Sequence, residues 1–208
     1  MKHGGEGREH LREGLLRMGL ESSDGQTAKL LAFEDLLRDK AIPLGFVAAS
    51  DAKRLLERHI LDSARAAGVA DPSDRTAIDL GSGAGLPGVV VAILVPGLRM
   101  TLVESTRRRV AFLELALERL ELENVRIAAI RAEELPGSTQ VDLCLARAFA
   151  PINRSWAIAE PLLSPERGRL VYFAGSGSSL ISLPEGSRIV ESTWPRLESS
   201  GPLVIMGG

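Results

Sequence analysis

The chain has 208 residues, 45% hydrophobic and 25% charged, with 25 basic side chains against 27 acidic ones and a net charge of −2. That is room for one full-sized domain and a small appendage, and it excludes a disordered or collagen-like chain. The longest uninterrupted apolar run, Val89–Val95, is seven residues, far short of a membrane span. Behind the charged start, Met1-Lys2-His3-Gly4-Gly5-Glu6, no apolar stretch follows, so no secretory leader is expected. A soluble, cytoplasmic protein with no membrane partner is the expectation.

Elimination by residue type goes further. One cysteine, Cys144, leaves no intrachain disulfide and no thiolate zinc cluster. The histidines (His3, His10, His59) and lysines (Lys2, Lys29, Lys40, Lys53) all lie before residue 60. A site in the C-terminal two-thirds would therefore have no imidazole base, no His-rich metal centre and no Schiff-base lysine. No metal is expected, and chemistry there must rest on a bound cofactor or on positioning.

In chain order, residues 1–73 read as a helical segment. Leu11, Leu15 and Leu16 recur at near-helical spacing, then Leu30, Leu31, Phe33, Leu36 and Leu37, then Leu55, Leu56, Ile60, Leu61 and Ala64. Turn-rich stretches, Glu21–Gly25 and Ile42–Gly45, separate them, and Ser50 is the expected N-cap of the third helix. From residue 74 to 208 the texture changes to alternating strands and helices. Thr76–Leu80 predicts a strand, Val89–Val95 a helix stopped by Pro96-Gly97, Arg99–Glu104 a strand and Arg107–Leu120 an amphipathic helix. Further strands are expected at Val125–Ile130, Val141–Ala146, Gly168–Ala174, Arg188–Ser192 and Pro202–Met206, and a helix at Ser155–Leu163. This alternation implies an α/β fold with a parallel sheet and helices on both faces.

The sharpest local signal is the turn Asp79-Leu80-Gly81-Ser82-Gly83-Ala84-Gly85-Leu86-Pro87-Gly88 at the end of the first predicted strand. A glycine turn there opens the ligand crevice of a doubly wound sheet and lets a ligand approach bare backbone. Asp79-x-Gly81-x-Gly83-x-Gly85 has the spacing used for S-adenosylmethionine; Gly83-x-Gly85-x-x-Gly88 fits a dinucleotide. Glu104, at the end of the second strand, could take ribose hydroxyls in either case. Pro87 removes an N–H where a pyrophosphate needs donors, and a hydride-transfer enzyme would lack a downstream His or Lys acid. The methyl donor is favoured over a nicotinamide-dependent oxidoreductase. A tight turn with no ligand is the bland alternative.

Through Arg58-His59-Ile60-Leu61-Asp62-Ser63, Gly81–Gly88, Arg131-Ala132-Glu133 and Ala146-Arg147-Ala148-Phe149, in that order and spacing, the sequence bears a resemblance to the ribosomal RNA small subunit methyltransferase G (glucose-inhibited division protein B) family. It implies a Rossmann-like methyltransferase fold that transfers a methyl group from S-adenosylmethionine to guanine N7 in the 530 loop of 16S rRNA, with 16S rRNA or the small ribosomal subunit as partner and a monomeric state. Its cofactor contacts carry over to Gly81, Leu86, Ala132, Glu133 and Arg147, to which the turn adds Gly83 and Gly85, and the ribose argument Glu104. Two departures stand out: Pro43-Leu44-Gly45 where the family usually has Asn-Leu-Thr, and Ala174-Gly175 where it usually has Lys-Gly. They leave open a member that binds cofactor and RNA but has lost turnover.

Guanine N7 has an in-plane lone pair and no hydrogen, so no general base is required and positioning does the work. Arg147 is read either as a contact to cofactor or RNA or as a salt bridge to Asp79 or Glu133. Phe149 reads as core or as a stacking group, and Glu133 as an adenine contact or a solvated acid. His59 and Asp62, three apart, read as a pair docking the helical segment on the sheet. Arg107-Arg108-Arg109 is either an RNA-phosphate patch or a solvated face paired with Glu114, Glu118 and Glu121; Arg8, Arg12 and Arg17 carry the same ambiguity. Cys144, Trp156 and Trp194 are expected to pack.

Overall fold

In a computed structural model, residues 5–175, 183–191 and 200–208 are described. The chain opens with α1 (Gly5–Arg17) and α2 (Asp24–Leu36). Ser23 Oγ accepts from Gln26 N–H at 3.2 Å, and Gln26 Oε1 accepts from Ser23 N–H at 2.9 Å, a reciprocal cap that starts α2 within the expected turn. The Gln26 side-chain amide also donates to Ile93 O and Leu94 O, tying α2 to the end of a later helix. Wide π-helical turns prolong α2 through Leu37–Ala41 and build Leu56–Leu61, which runs into α3 (Asp62–Ala64). Ser50 caps nothing: it lies in a 3-10 turn, Ala49–Asp51, and the next helical stretch starts only after Arg54. Leu16 is 63% exposed, because the buried face of α1 is set by Leu11 and Leu15.

Strands β1 (Thr76–Leu80), β2 (Arg99–Val103), β3 (Val125–Ala128), β4 (Leu143–Arg147) and β5 (Arg169–Phe173) alternate with α4 (Gly88–Leu94), α5 (Arg107–Leu120) and α6 (Ile152–Ala159). These five strands are parallel, with Ile78 level with Thr101 on one side and Cys144 on the other. The sheet is not wholly parallel, however. β7 (Leu203–Gly207) lies antiparallel between β5 and β6 (Arg188–Val190), giving the order β3-β2-β1-β4-β5-β7-β6. An antiparallel neighbour needs no helical crossover, so the βα alternation ends at β5. Of the expected β6 strand, Ser192 lies outside the described residues, as does Trp194.

Strand alternation sorts the core into two faces. Leu143, Leu145, Val171 and Phe173 face the layer of α1, α2, α4 and α5. Cys144, Ala146, Leu170 and Tyr172 face α6, where Trp156 packs. The chain leaves β1 for β2 on one side and returns to β4 on the other, so a crevice opens at the carboxyl ends of β1 and β4. Among the described residues no helix is long and apolar enough to cross a membrane, and no group of three or more His, Cys, Asp or Glu is placed to hold a metal ion.

Candidate functional site

The glycine turn fills the crevice. Ser82 N–H donates to Val103 O at 3.0 Å and Ser82 Oγ donates to Asp79 O at 2.9 Å, so the turn is stitched to β1 and β2. Glu104, 4% exposed, holds it from the β2 side: its carboxylate accepts from Gly83 N–H at 3.1 Å and Thr106 N–H at 2.8 Å. Gly81 and Gly83 have φ of 65° and 57°, left-handed values that a side chain resists. A Cβ at Gly83 would meet nothing nearer than Gly81 O at 3.8 Å, so space stays open beside the backbone. Gly85 and Gly88 serve packing instead: a Cβ would come within 2.6 Å of Val89 at Gly85 and 2.7 Å of Asp79 Oδ2 at Gly88.

Beside this turn lies a cavity of about 370 Å³, walled by Gly81, Glu104, Arg109, Ala132, Glu133 and Phe149. Ala132 and Glu133 sit in a 3-10 turn just beyond β3. Glu133 bonds Arg154 at 3.0 Å; its own backbone N–H and Arg154 hold its carboxyl below the ordinary glutamate range. Phe149 is half-buried and its ring rests on Gly81, so it both packs and lines the cavity. Of the sequence-predicted cofactor residues, Gly81, Glu104, Ala132 and Glu133 meet at this wall. Gly83 works through its amide on Glu104, and Leu86 packs against the helical layer.

Arg147 points elsewhere. Its expected pairing with Asp79 or Glu133 does not form; it reaches Asp62 at 3.2 Å, Ser63 Oγ at 3.1 Å and Arg58 O at 2.8 Å. The guanidinium lies over the Phe173 ring, 5.8 Å from its centroid. Asp62, also bonded by Arg65 at 2.9 Å, thus docks α3 on the sheet, the role expected of it, while His59 bonds Asp51 at 2.9 Å. Arg147 walls a second cavity of about 370 Å³ with Arg58, Asp62, Tyr172, Phe173 and Ala174. One residue, Ala148, belongs to both cavities, and it carries a left-handed φ of 51°, strain of the kind that clusters at ligand sites.

Pairing of Arg107–Arg109 with Glu114, Glu118 and Glu121 is not found among the described residues. Arg109 comes 3.6 Å from Glu104, and Arg108 and Arg109 each lie over the Phe46 ring at 5.9 Å, beside the exposed turn Pro43–Gly45. In the first helix Arg12 bonds Asp24 and Arg17 bonds Glu13. Sequence reasoning used Asp79 as a motif letter and as an alternative partner of Arg147, and did not foresee its burial. Its side chain is fully buried; Oδ2 accepts from Gly88 N–H at 3.1 Å, Oδ1 has no partner, and burial pushes its carboxyl up to about 7. An acid inside a glycine motif was the available signal.

The strand order and the crevice define the Rossmann-like fold of S-adenosylmethionine-dependent methyltransferases. A SAM-dependent methyltransferase from Aquifex aeolicus superposes with a TM-score of 0.52 at 14% identity over 74% of this chain and 93% of its own. The family model described as rRNA small subunit methyltransferase G matches residues 26–179. Ribosomal RNA small subunit methyltransferase G of Thermobifida fusca is 43% identical over 131 residues, 63% of this chain and 55% of its own length. That of Salmonella paratyphi B is 33% identical over 195 residues, 90% of this chain and 92% of its own. The chain belongs to the ribosomal RNA small subunit methyltransferase G family. It spans about half the length of the Thermobifida relative and nearly all of the Salmonella one.

Proposed function

We propose that this chain transfers the methyl group of S-adenosylmethionine to N7 of a guanine in the 530 loop of 16S rRNA, as a monomer in the cytoplasm. The observation that carries the reading is the cavity where the glycine turn, Glu104 and the Ala132-Glu133 turn converge. Its donor set suits that cofactor: open main chain at Gly83, next to the Gly81 wall, for the amino-acid tail, the Glu104 carboxylate for ribose hydroxyls, and Ala132 and Glu133 for adenine. S-adenosylmethionine, when bound, supplies a methyl carbon made electrophilic by its sulfonium. Glu104 keeps the turn open by holding the Gly83 and Thr106 amides, while Phe149 closes the floor over Gly81. N7 carries no proton, so the absence of any histidine after His59 costs the reaction nothing, and alignment is the main contribution of the protein.

Division of labour follows the two parts of the chain. Residues 74–208 supply every cofactor group named here, and residues 1–73 bring Arg58 and Asp62 to the second cavity. Exposed Arg107 and Arg108, at the head of α5, suit RNA phosphates. A member that binds cofactor and RNA without turnover is the second reading, favoured by Ala174, which puts a methyl group in the wall of the second cavity where the family usually has a lysine. The deciding test is tritium transfer from labelled S-adenosylmethionine to naked 16S rRNA and to 30S subunits, followed by mass mapping of the modified nucleotide. Label at a 530-loop guanine is expected. S-adenosylhomocysteine binding without label on either substrate would favour the second reading.

A further inference from the structure

An ion pair between two exposed side chains adds little to stability, so one that stands in the wall of a ligand cavity has another use. Arg154 Nη2 donates to Glu133 Oε1 at 3.0 Å, and both residues line the cavity beside the glycine turn. The pair is open to solvent, with the arginine 68% and the glutamate 45% exposed. It joins the 3-10 turn after β3 to the first turn of α6. A cation at the head of a helix opposes the helix dipole, so Arg154 does not serve α6.

The neighbouring acids are committed elsewhere. Glu134 accepts from Arg131 N–H and closes its own turn, and Glu104 takes the Gly83 and Thr106 amides on its two oxygens. An ionised carboxylate can accept about four hydrogen bonds. Glu133 uses two, from its own backbone N–H and from Arg154. These two fix the plane of the group and leave acceptor positions for a ligand.

We propose that Arg154 is a specificity-determining residue of the cofactor site: it holds the Glu133 carboxylate so that a free acceptor position meets the exocyclic amine of adenine. The inference deepens the methyltransferase reading above and rests on its placement of adenine against Ala132 and Glu133. The 6-position of adenine is a hydrogen-bond donor, whereas that of guanine, or of hypoxanthine, is a carbonyl oxygen, which a fixed carboxylate repels. An exposed glutamate free to rotate would turn away from that oxygen and tolerate either base; a tethered one holds its place. Arg154 acts through Glu133, so it is a positioning residue and takes no part in the transfer itself.

Calorimetric titration with S-adenosylhomocysteine and with its 6-oxo analogue, S-inosylhomocysteine, tests this. Wild type should bind the adenine ligand about tenfold or more tightly, the scale of one hydrogen bond to a charged group. Arg154→Ala should shrink that ratio by about threefold or more, mainly by weakening S-adenosylhomocysteine, with Tm changed by no more than about 2 °C. Glu133→Ala should abolish the preference, and adding Arg154→Ala to it should change neither affinity further. An unchanged ratio in Arg154→Ala, from equal weakening or from no effect, overturns the proposal, as does an effect of Arg154→Ala that persists without Glu133. A wild type that binds both ligands equally also overturns it and leaves the methyl-donor reading standing. A wild type that binds neither removes that reading and the inference with it.

Discussion

Replacing Asp79 with Asn should stabilise the protein more at pH 8 than at pH 5. Asp79 is fully buried under the glycine turn, with one oxygen on the Gly88 amide at 3.1 Å and the other without a partner. Burial raises its carboxyl from an ordinary 3.8 to about 7, with Glu104 acting in the same sense and Arg147 against it. The folded pKa lies above the unfolded one, so the native state keeps a proton that the unfolded chain releases between these values. Stability from this group is whole below about pH 4, falls as pH rises towards 7, and is level beyond. At about 1.4 kcal/mol per unit the full shift is worth about 4 kcal/mol, of which about 2.5 falls between pH 5 and pH 8. Asn has the shape of the neutral acid and no proton to lose. Urea unfolding of both proteins at the two pH values should show the stability difference, variant minus wild type, growing by that amount. A difference constant with pH would refute the reasoning.

Four further outcomes are expected. Arg169→Met should cost about 3–5 kcal/mol in urea unfolding, because it strands the buried Asp74 carboxylate that Arg169 bonds at 2.6 and 3.1 Å; a loss below about 1 kcal/mol would contradict the pairing. Gly83→Val should leave a folded protein and abolish S-adenosylhomocysteine binding in calorimetry, since its side chain would occupy the open space beside the turn; normal affinity would remove the turn from the site. Arg107→Glu with Arg108→Glu should raise KM for RNA and spare cofactor affinity, whereas Arg109 stays untouched as the neighbour of Glu104; an unchanged KM would clear that patch of any role. His59 is held below its ordinary 6.5 by burial first and Arg147 second, so the folded protein loses stability as pH falls through that value, and His59→Gln should show a smaller drop in Tm from pH 7 to pH 5. Equal drops would count against the buried neutral imidazole.

Much of the architecture was legible because two periods write themselves into the chain. The five parallel strands and α5 follow alternation and an amphipathic stripe, and α5 has the expected bounds, Arg107–Leu120. The π-helical stretches at Leu37–Ala41 and Leu56–Leu61 left no trace in spacing, since a locally widened turn keeps the same apolar residues. The antiparallel insertion of β7 depends on pairing partners distant in sequence, which alternation cannot name. At the site, the glycine turn and Glu104 were legible because they sit at strand ends, where topology puts ligands, whereas Ala132 and Glu133 were named only through the family resemblance. Arg147 also ends a strand, but its direction is set by Asp62 and Ser63 on a helix more than eighty residues earlier, information that no local motif holds.

Cys144 lies mid-sheet, level with Ile78 on β1 and Leu170 on β5, completely enclosed, with its thiol pushed far up by burial and by Asp79. As the sole sulfhydryl of the chain it is inert towards electrophiles for as long as these strands stay zipped. Its rate of alkylation is thus a built-in gauge of how often the centre of the sheet breathes, and any bound small molecule that clasps the carboxyl ends of those strands should slow that clock without ever touching the sulfur.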